Sequence, residues 1–201
     1  MTIIAFISQK GGVGKSTLSQ ALASEAKKQK IKVLLADCDS QQGTSQEWSK
    51  IKGKVPCQLF QQVKDIWPYV KQYDLIIIDA PARTSQGTLE IAKKADLVIQ
   101  PTGASRADLV PAVKEFNALV KAKIDRKKLL FVLTRLSTPA EAKAVQEYLK
   151  NTGYANSPFY VMEKASYKQV QNEGKSITET KYRGLAQQVK ELVSSLLDYL
   201  D

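Results

Sequence analysis

The fold of this chain is decided by one stretch of its sequence, Lys10-Gly11-Gly12-Val13-Gly14-Lys15-Ser16-Thr17. An apolar run, residues 2–8, precedes it, and a segment with helical character, residues 15–29, follows it. A glycine-rich turn between a strand and a helix is the setting of a phosphate-binding loop, because the glycines let successive backbone N–H groups point at one anion. The free N–H groups and the positive dipole end of the new helix strengthen that attraction. We therefore predict that this loop binds a nucleoside triphosphate.

The side chains of the loop have separate chemical tasks. The ammonium group of Lys15 is expected to contact the phosphates, and the hydroxyl of Ser16 is a candidate Mg²⁺ ligand. The alternative, a glycine turn with two solvated lysines, does not explain the flanking strand and helix. The predicted nucleotide-binding residues of the loop are Gly11, Gly12, Val13, Gly14, Lys15, Ser16 and Thr17.

Carboxylates stand at the ends of two further apolar runs. Asp37 and Asp39 close the run at residues 31–37, and Asp79 follows Leu75-Ile76-Ile77-Ile78. Carboxylates beside a phosphate loop suit Mg²⁺ coordination and the positioning of an attacking water. Helix capping is the alternative for the first pair, and it accounts for one of the two residues. We predict Ser16, Asp37 and Asp79 as metal ligands.

The order of these motifs resembles the ParA/MinD/Soj ATPases, whose deviant Walker A box reads K-G-G-x-G-K-[ST]. Gln9 stands where an ordinary phosphate loop has glycine, and Lys10 takes the place of the family's early lysine. The segment from Asp37 to Gly43 resembles the D-x-D-P-Q-G box with Ser40 in place of proline, and Asp79-Ala80-Pro81 matches D-[TAC]-P. The likeness covers the whole chain and is closest to short plasmid-partition ParA proteins that lack an N-terminal helix-turn-helix domain.

The resemblance implies an ATPase that uses ATP and Mg²⁺. The implied catalytic residues are Lys10, which reaches the nucleotide of the other subunit in a sandwich dimer, Lys15, and Asp39, which orients the hydrolytic water. Asp37 is implied to support Mg²⁺ and its loop. Thr134 and Arg135 are implied to lie beside the adenine. Two points stay open: Arg83 either touches phosphate or forms a salt bridge, and Pro158-Phe159 either faces the base or forms an ordinary turn.

The resemblance also implies partners and a place in the cell. The ATP-bound homodimer would bind double-stranded DNA nonspecifically, and a ParB-like adaptor protein would stimulate hydrolysis and release. The implied location is the nucleoid, and operator binding is not expected. The candidate DNA contacts are Lys164, Lys168, Lys175, Lys181 and Arg183.

The charge balance agrees with a polyanionic partner. The chain of 201 residues has 30 Lys and Arg residues against 20 acidic ones, a net charge of +10. A surplus of this size in a small domain favours nucleic acid. The densest clusters are residues 27–32, 50–54 and 121–128, whereas residues 140–201 are balanced.

Composition excludes several classes of protein. The absence of histidine rules out His-based catalysis, and Cys38 and Cys57 match no metal or redox spacing. No apolar run approaches the ~20 residues of a membrane span. The N-terminus lacks the basic and cleavage regions of a signal peptide, so we expect a cytosolic protein.

The alternation of apolar runs and helical segments predicts the architecture. Buried strands separated by helices indicate one α/β domain, residues 1–201, with a mostly parallel twisted sheet covered by helices on both faces. The predicted strands are 2–8, 31–37, 75–80, 96–101 and 129–134, with weaker candidates at 58–60 and 159–161. The predicted helices are 15–29, 42–52, 86–94, 108–123, 139–151 and 179–200.

Three other functions remain open. A MinD-like protein would cycle on membranes, but it needs an amphipathic C-terminal helix with a basic face, whereas residues 190–201 close with acidic residues. A metabolic ATP-dependent enzyme or another cargo-positioning ATPase would share the fold. Nitrogenase-reductase-like electron transfer is excluded, because the two cysteines lack the context of cluster ligands.

Overall fold

The computed structural model describes residues 1–82 and 85–198, and in these residues a seven-stranded sheet lies between two layers of helices. The strand order is β3-β2-β4-β1-β5-β6-β7, and every neighbouring pair is parallel. The strands are β1 (Thr2–Phe6), β2 (Val33–Asp37), β3 (Cys57–Leu59), β4 (Leu75–Asp79), β5 (Leu97–Thr102), β6 (Leu129–Leu136) and β7 (Ala155–Met162). The helices are α1 (Lys15–Lys28), α2 (Thr44–Lys52), α3 (Ser85–Lys94), α4 (Arg106–Lys121), α5 (Pro139–Lys150), α6 (Ala165–Asn172) and α7 (Arg183–Asp198).

The central strands are apolar on both faces because both faces are covered. Side chains alternate along a strand, so Ile3 and Ala5 pack in one layer while Ile4 and Phe6 pack in the other. The first layer contains residues of α3, α4 and α5, and the second contains residues of α1, α2, α6 and α7. This is the two-sided parallel sheet that the sequence predicted.

The sheet brings the predicted site residues to one edge. Phe6 of β1 and Asp37 of β2 are both in register with Asp79 of β4, the strand between them. The phosphate loop therefore starts beside two strands that end in aspartate. Ligands of open parallel sheets bind at this carboxyl edge.

The predicted elements are confirmed with boundary shifts of a few residues, and both weaker strand candidates are strands β3 and β7. Helix α6 and a 3₁₀ helix at Val63–Gln72 that contains Pro68 were not predicted, nor were two 3₁₀ turns at Arg126–Lys128 and Ile177–Glu179. The last helix was predicted to begin at residue 179, but α7 begins at Arg183 because Ser176 and Glu179 form a capping box on a separate 3₁₀ turn. Its predicted end at residue 200 lies outside the described residues.

None of the helices within residues 1–82 and 85–198 has the length and apolar character needed to cross a bilayer.

Candidate nucleotide-binding site

The phosphate loop takes the backbone conformation that its glycines allow. Gly12 has φ of 75° and Gly14 has φ of 94°, both in the left-handed region that strains other residues. Helix α1 begins directly after this turn, at Lys15, and its first N–H groups have no partner within the helix. The loop and the helix start therefore offer backbone donors and a lysine to an anion.

A cavity of about 530 Å³ opens beside the loop. That volume is within the range of small-molecule sites. Of the predicted residues, Gly11, Gly12, Gly14, Lys15, Ser16, Thr17, Asp39, Asp79, Thr134 and Arg135 line it. Lys10, Val13 and Asp37 do not.

Asp79 is a buried carboxylate with one oxygen left over. Its Oδ2 accepts a hydrogen bond from the Ser45 hydroxyl at 2.7 Å, whereas Oδ1 has no hydrogen-bond partner among the described residues. Burial raises the pKa of Asp79 to about 6, although the Ser45 and Ser16 hydroxyls and the charge of Lys15 lower it. A buried, unpartnered carboxylate oxygen near a serine hydroxyl fits the oxygen shell of Mg²⁺.

The two carboxylates after β2 have different surroundings. Asp37 is fully buried and accepts three backbone hydrogen bonds, from the N–H groups of Asp39, Ser45 and Gln46 at 2.9 to 3.0 Å. Burial raises its pKa, and these three bonds lower it. Asp37 thus caps the start of α2, while Asp39 lines the cavity. Capping, the alternative interpretation of this pair, therefore applies to Asp37. Metal binding by Asp37 stays a prediction.

Lys10 is held at the rim of the site by helix α4. Its ammonium group forms an ion pair with Asp108 in the first turn of α4, and its side chain stays 44% exposed. Partial burial acts to raise the pKa of Asp108, but hydrogen bonds from Lys10 and Ser105 outweigh it and keep the pKa below its usual value. Within one chain, therefore, Lys10 is paired with a carboxylate and does not line the nucleotide cavity.

Glu115, two turns further along α4, is a site residue that sequence reasoning missed. It is 4% exposed and accepts hydrogen bonds from the Gln9 backbone N–H at 3.2 Å and from Nε2 of Gln100 at 2.7 Å. Burial raises its pKa to about 7. The available signal was its place on the apolar face of α4, three residues after Ala112 and four before Leu119.

Thr134 and Arg135, predicted beside the adenine, line the cavity and also brace the phosphate loop. The Thr134 hydroxyl donates to the Val13 carbonyl at 2.7 Å, and Nη1 of Arg135 donates to the Gly12 carbonyl at 3.0 Å. Arg135 holds this position with a left-handed φ of 57°. Two hydrogen bonds from the end of β6 thus fix the curvature of the loop, and the contact with adenine stays a prediction.

The far wall of the cavity comes from β7 and α6. It contains Val161, Met162 and Tyr167, but not Pro158 or Phe159, which the sequence analysis had considered for the base. Gln171 of α6 joins this wall to α1 through hydrogen bonds with Thr17 and Gln20.

The candidate DNA contacts have different surroundings, and their contact with DNA stays a prediction. Lys164 and Lys168 line the nucleotide cavity, and Lys168 pairs with Glu163 at 3.1 Å. Lys175 pairs with Glu173, Lys181 lies over the ring of Tyr182, and Arg183 begins α7. Arg83 lies outside the described residues.

The two cysteines have no chemical role in this site. Burial raises the pKa of both thiols, Cys38 and Cys57, so neither is an activated nucleophile.

Comparisons with known proteins agree with this geometry. The family model of the CobQ/CobB/MinD/ParA nucleotide binding domain matches residues 4–177. A "Maintenance of carboxysome distribution protein A" from Gloeobacter kilaueensis is 24% identical over 187 residues, 88% of this chain and 84% of that protein. A "Protein ParA" from Rhizobium radiobacter is 27% identical over 150 residues, 70% of this chain and 67% of that protein. A shorter match, 58% identical over 48 residues, covers 24% of this chain and 19% of an uncharacterized protein from Borreliella burgdorferi.

Solved structures share the fold over nearly the whole chain. The MinC:MinD cell division complex of Aquifex aeolicus superposes with a TM-score of 0.79 at 17% identity, covering 98% of this chain and 96% of that chain. The ATP complex of a point variant of Cyanothece McdA gives 0.76 at 21%, with coverage of 98% and 96%. A candidate plasmid partition protein of Borrelia burgdorferi bound to AMPPNP gives 0.71 at 21%, with coverage of 97% and 99%.

Proposed function

Because this chain belongs to the CobQ/CobB/MinD/ParA nucleotide-binding domain family, we propose that it is a ParA-like positioning ATPase that partitions DNA. Its relatives include a protein named ParA, a carboxysome distribution protein and, by fold, the cell division protein MinD. Among the cargoes and surfaces such proteins use, the net charge of +10 favours DNA.

The observation that carries the proposal is the position of Lys10. An ordinary phosphate loop has no need of this second lysine, because Lys15 already faces the cavity. Lys10 instead stays half-exposed at the rim, held by Asp108 of its own chain. When a second subunit approaches this edge, Lys10 can leave Asp108 and bind the phosphates of the nucleotide that the second subunit holds. Lys10 thereby links ATP binding to dimerisation.

The remaining residues divide the work of hydrolysis. Lys15 and the backbone N–H groups of the loop bind the phosphates, and Lys10 of the other subunit adds charge that stabilises the transition state. Ser16 and Asp79 would hold Mg²⁺, which neutralises phosphate charge when bound. Asp39, on the cavity wall, orients the attacking water, and Asp37 keeps its loop in place through the cap on α2.

One DNA contact would follow the nucleotide. The ATP-bound dimer binds DNA without sequence preference, and a ParB-like adaptor accelerates hydrolysis so that the subunits separate and this ATP-dependent contact is lost. The protein would then be found on the nucleoid in its ATP state.

The dimer is tested by light scattering after size exclusion with ATP and with ADP. We expect a dimer with ATP and a monomer with ADP for the wild type, and a monomer in both states for Lys10→Ala, with ADP affinity unchanged. Lys143→Ala, an exposed lysine on α5, is the matched control. ATP-dependent dimers of Lys10→Ala would refute the cross-subunit role.

The DNA partner is tested by anisotropy on unrelated duplexes with no nucleotide, ADP, ATP and a nonhydrolysable analogue. We expect binding to increase with ATP and the analogue, independently of sequence. An ATP-dependent increase seen with anionic vesicles and not with DNA would replace the DNA role by a membrane cycle.

A further inference from the structure

The edge of the sheet opposite the nucleotide cavity carries half of the basic residues. Helices run back along the parallel strands, so they end where the strands begin. Fifteen of the 30 Lys and Arg residues lie there, eight in the last turns of α1 to α5 and seven in segments that lead into β2, β3 or β6. We call this surface the basic edge; its basic residues lie within 27–32, 50–54, 93–94, 121–128 and 150.

Contacts between neighbouring elements connect several of these segments in pairs. Nζ of Lys128 donates to the Ala95 carbonyl at 3.1 Å, next to the end of α3. A cavity of about 300 Å³ is lined by Lys27 and Lys28 of α1 together with Lys54, which precedes β3. Seven strands spaced at about 4.8 Å make the edge about 29 Å wide.

Acidic residues on the basic edge are fewer, and most of them are already engaged; Glu147 and Asp198, exposed in the last turns of α5 and α7, make no ion pair with the described residues. Asp74, Asp96 and Asp125 each accept a backbone N–H at 2.8 to 3.2 Å. Glu25, Glu47 and Glu179 pair with Lys28, Lys50 and Lys54. Other lysines of this surface, Lys27, Lys52 and Lys121 among them, make no ion pair with the described residues and are exposed.

Helix dipoles do not account for this accumulation. A cation near a helix C-terminus is favourable, but the benefit is confined to the last turn. Helices α6 and α7 have no basic residue in their last turns, so the charge is not a general feature of helix ends in this chain. The excess therefore needs another reason.

Two lysines are placed at a conformational cost. Lys30 and Lys123 follow the C-caps of α1 and α4 with φ of 64° and 69°, in the left-handed conformation that glycine takes after α2 and α6 at Gly53 and Gly174. Glycine is favoured at such positions because it has no Cβ penalty. The chain keeps a positive charge at both positions where glycine would be more stable.

We infer that the basic edge binds the phosphate backbone of double-stranded DNA in the absence of nucleotide, as a second contact separate from the ATP-dependent one. The inference takes DNA from the proposed function but does not need the dimer. Because the nucleotide cavity opens on the opposite edge, subunits that close on it leave the basic edge of each uncovered.

The chemistry of the edge favours DNA over a membrane. A duplex carries one charge per ~1.7 Å, so the width of the edge spans about 17 phosphates. Membrane binding also needs an apolar face. Among the described residues of the defined segments, Ile51 is the one large apolar side chain that is exposed, at 55%, whereas Ile31 is half-buried and Ile124 is buried.

The test uses nucleotide-free wild-type protein and fluorescence anisotropy on a 30-base-pair duplex across salt concentrations. If about five phosphates are contacted, the slope of log K against log salt is about −4.5, a loss of about 500-fold between 50 and 200 mM salt. Lys30→Gly with Lys123→Gly should reduce the magnitude of that slope by about 2 and weaken binding at least about tenfold. The same variant should unfold at a higher urea concentration, because the left-handed strain is removed.

Lys114→Gln with Lys143→Gln is the control, because it removes the same charge from exposed positions inside α4 and α5. Equal weakening by both variants, or no binding by the wild type without nucleotide, would overturn the inference. The inference would also be overturned if the variant with Lys30→Gly and Lys123→Gly lost its binding to anionic vesicles but kept its binding to DNA. ATP-dependent dimerisation is measured separately: its absence in the wild type would refute the proposed function and leave the basic edge standing.

Discussion

Glu115→Gln should change how the stability of this protein depends on pH. The carboxyl group is buried between α4, the phosphate loop and β5, where Gln9 and Gln100 donate to it. Glutamine preserves the shape and still accepts the Gln9 N–H. Its amide nitrogen can also donate to Oε1 of Gln100, a buried oxygen that has no partner among the described residues. The substitution therefore removes a titration with little loss of packing.

The magnitude follows from the pKa of Glu115, which burial raises from 4.5 to about 7. Between these values the native protein keeps a proton that the unfolded chain has released, so the free energy of unfolding falls as pH rises from about 4.5 to about 7. A pKa difference of this size corresponds to about 3 kcal/mol, of which about 2.5 kcal/mol falls between pH 5 and pH 8.

The assay is urea unfolding of nucleotide-free protein at pH 5 to 8. The chain has no histidine, so few groups besides buried carboxylates titrate in this interval. Asp79, with a pKa of about 6, also lowers the free energy of unfolding as pH rises. This contribution is the same in the wild type and in Glu115→Gln, so it cancels when the two proteins are compared. We expect the stability of Glu115→Gln relative to wild type to rise by about 2.5 kcal/mol from pH 5 to pH 8. Parallel pH profiles would refute the assigned protonation.

Three further substitutions probe the site and its supports. Ser45→Ala leaves Oδ2 of Asp79 without its hydroxyl donor, so urea unfolding without nucleotide should show a loss of about 2 kcal/mol. Gly174 has a φ of 68°, and an added Cβ would lie only 2.6 Å from a side-chain carbon of α2. Gly174→Ala should therefore lower the melting temperature, by an amount that corresponds to a loss of about 2 kcal/mol or more. Asp108→Asn removes the ion-pair partner of Lys10, and sedimentation with ATP should show an about two- to thirtyfold tighter dimer, because a dimer breaks two such pairs and a partly exposed pair is worth about 0.2 to 1 kcal/mol.

Each of these predictions has an outcome that contradicts it. Wild-type stability for Ser45→Ala would mean that another donor replaces the hydroxyl. Gly184→Ala is the matched glycine control, since its Cβ meets nothing within 4 Å, and an equal loss in both glycine variants would disprove the clash. An Asp108→Asn dimer weaker than wild type would show that the carboxylate supports the interface.

The parts of the site that sequence predicted are those encoded locally. The phosphate loop and Asp79 depend on a turn, a helix start and a strand end, all within a few residues, and the structure places them together. Glu115 and Gln171 each have a hydrogen-bond partner more than 100 residues away in the sequence, so no local pattern predicts their roles. Helix α6 has eight mostly polar residues, too few for a helical period to stand out.

The charge pattern shows the same limit. The lysine clusters were visible in the sequence, but their assembly on a single edge depends on the strand order of the sheet. Two of the C-terminal lysines, which were chosen from the family resemblance, line the nucleotide cavity.

The central place of β1 has a consequence for synthesis on the ribosome. β1 is the first strand made, yet its neighbours are β4 and β5, with Thr2 opposite Leu75 and Ile4 opposite Leu97. At roughly 5 to 20 residues per second, the phosphate loop leaves the peptidyl centre about 4 to 17 s before β5 is complete. β6, which braces the loop, comes later still. A nascent chain that ends before Thr134 thus carries the nucleotide motif without the two hydrogen bonds that brace its loop, so we expect the loop to be completed only when β6 is made.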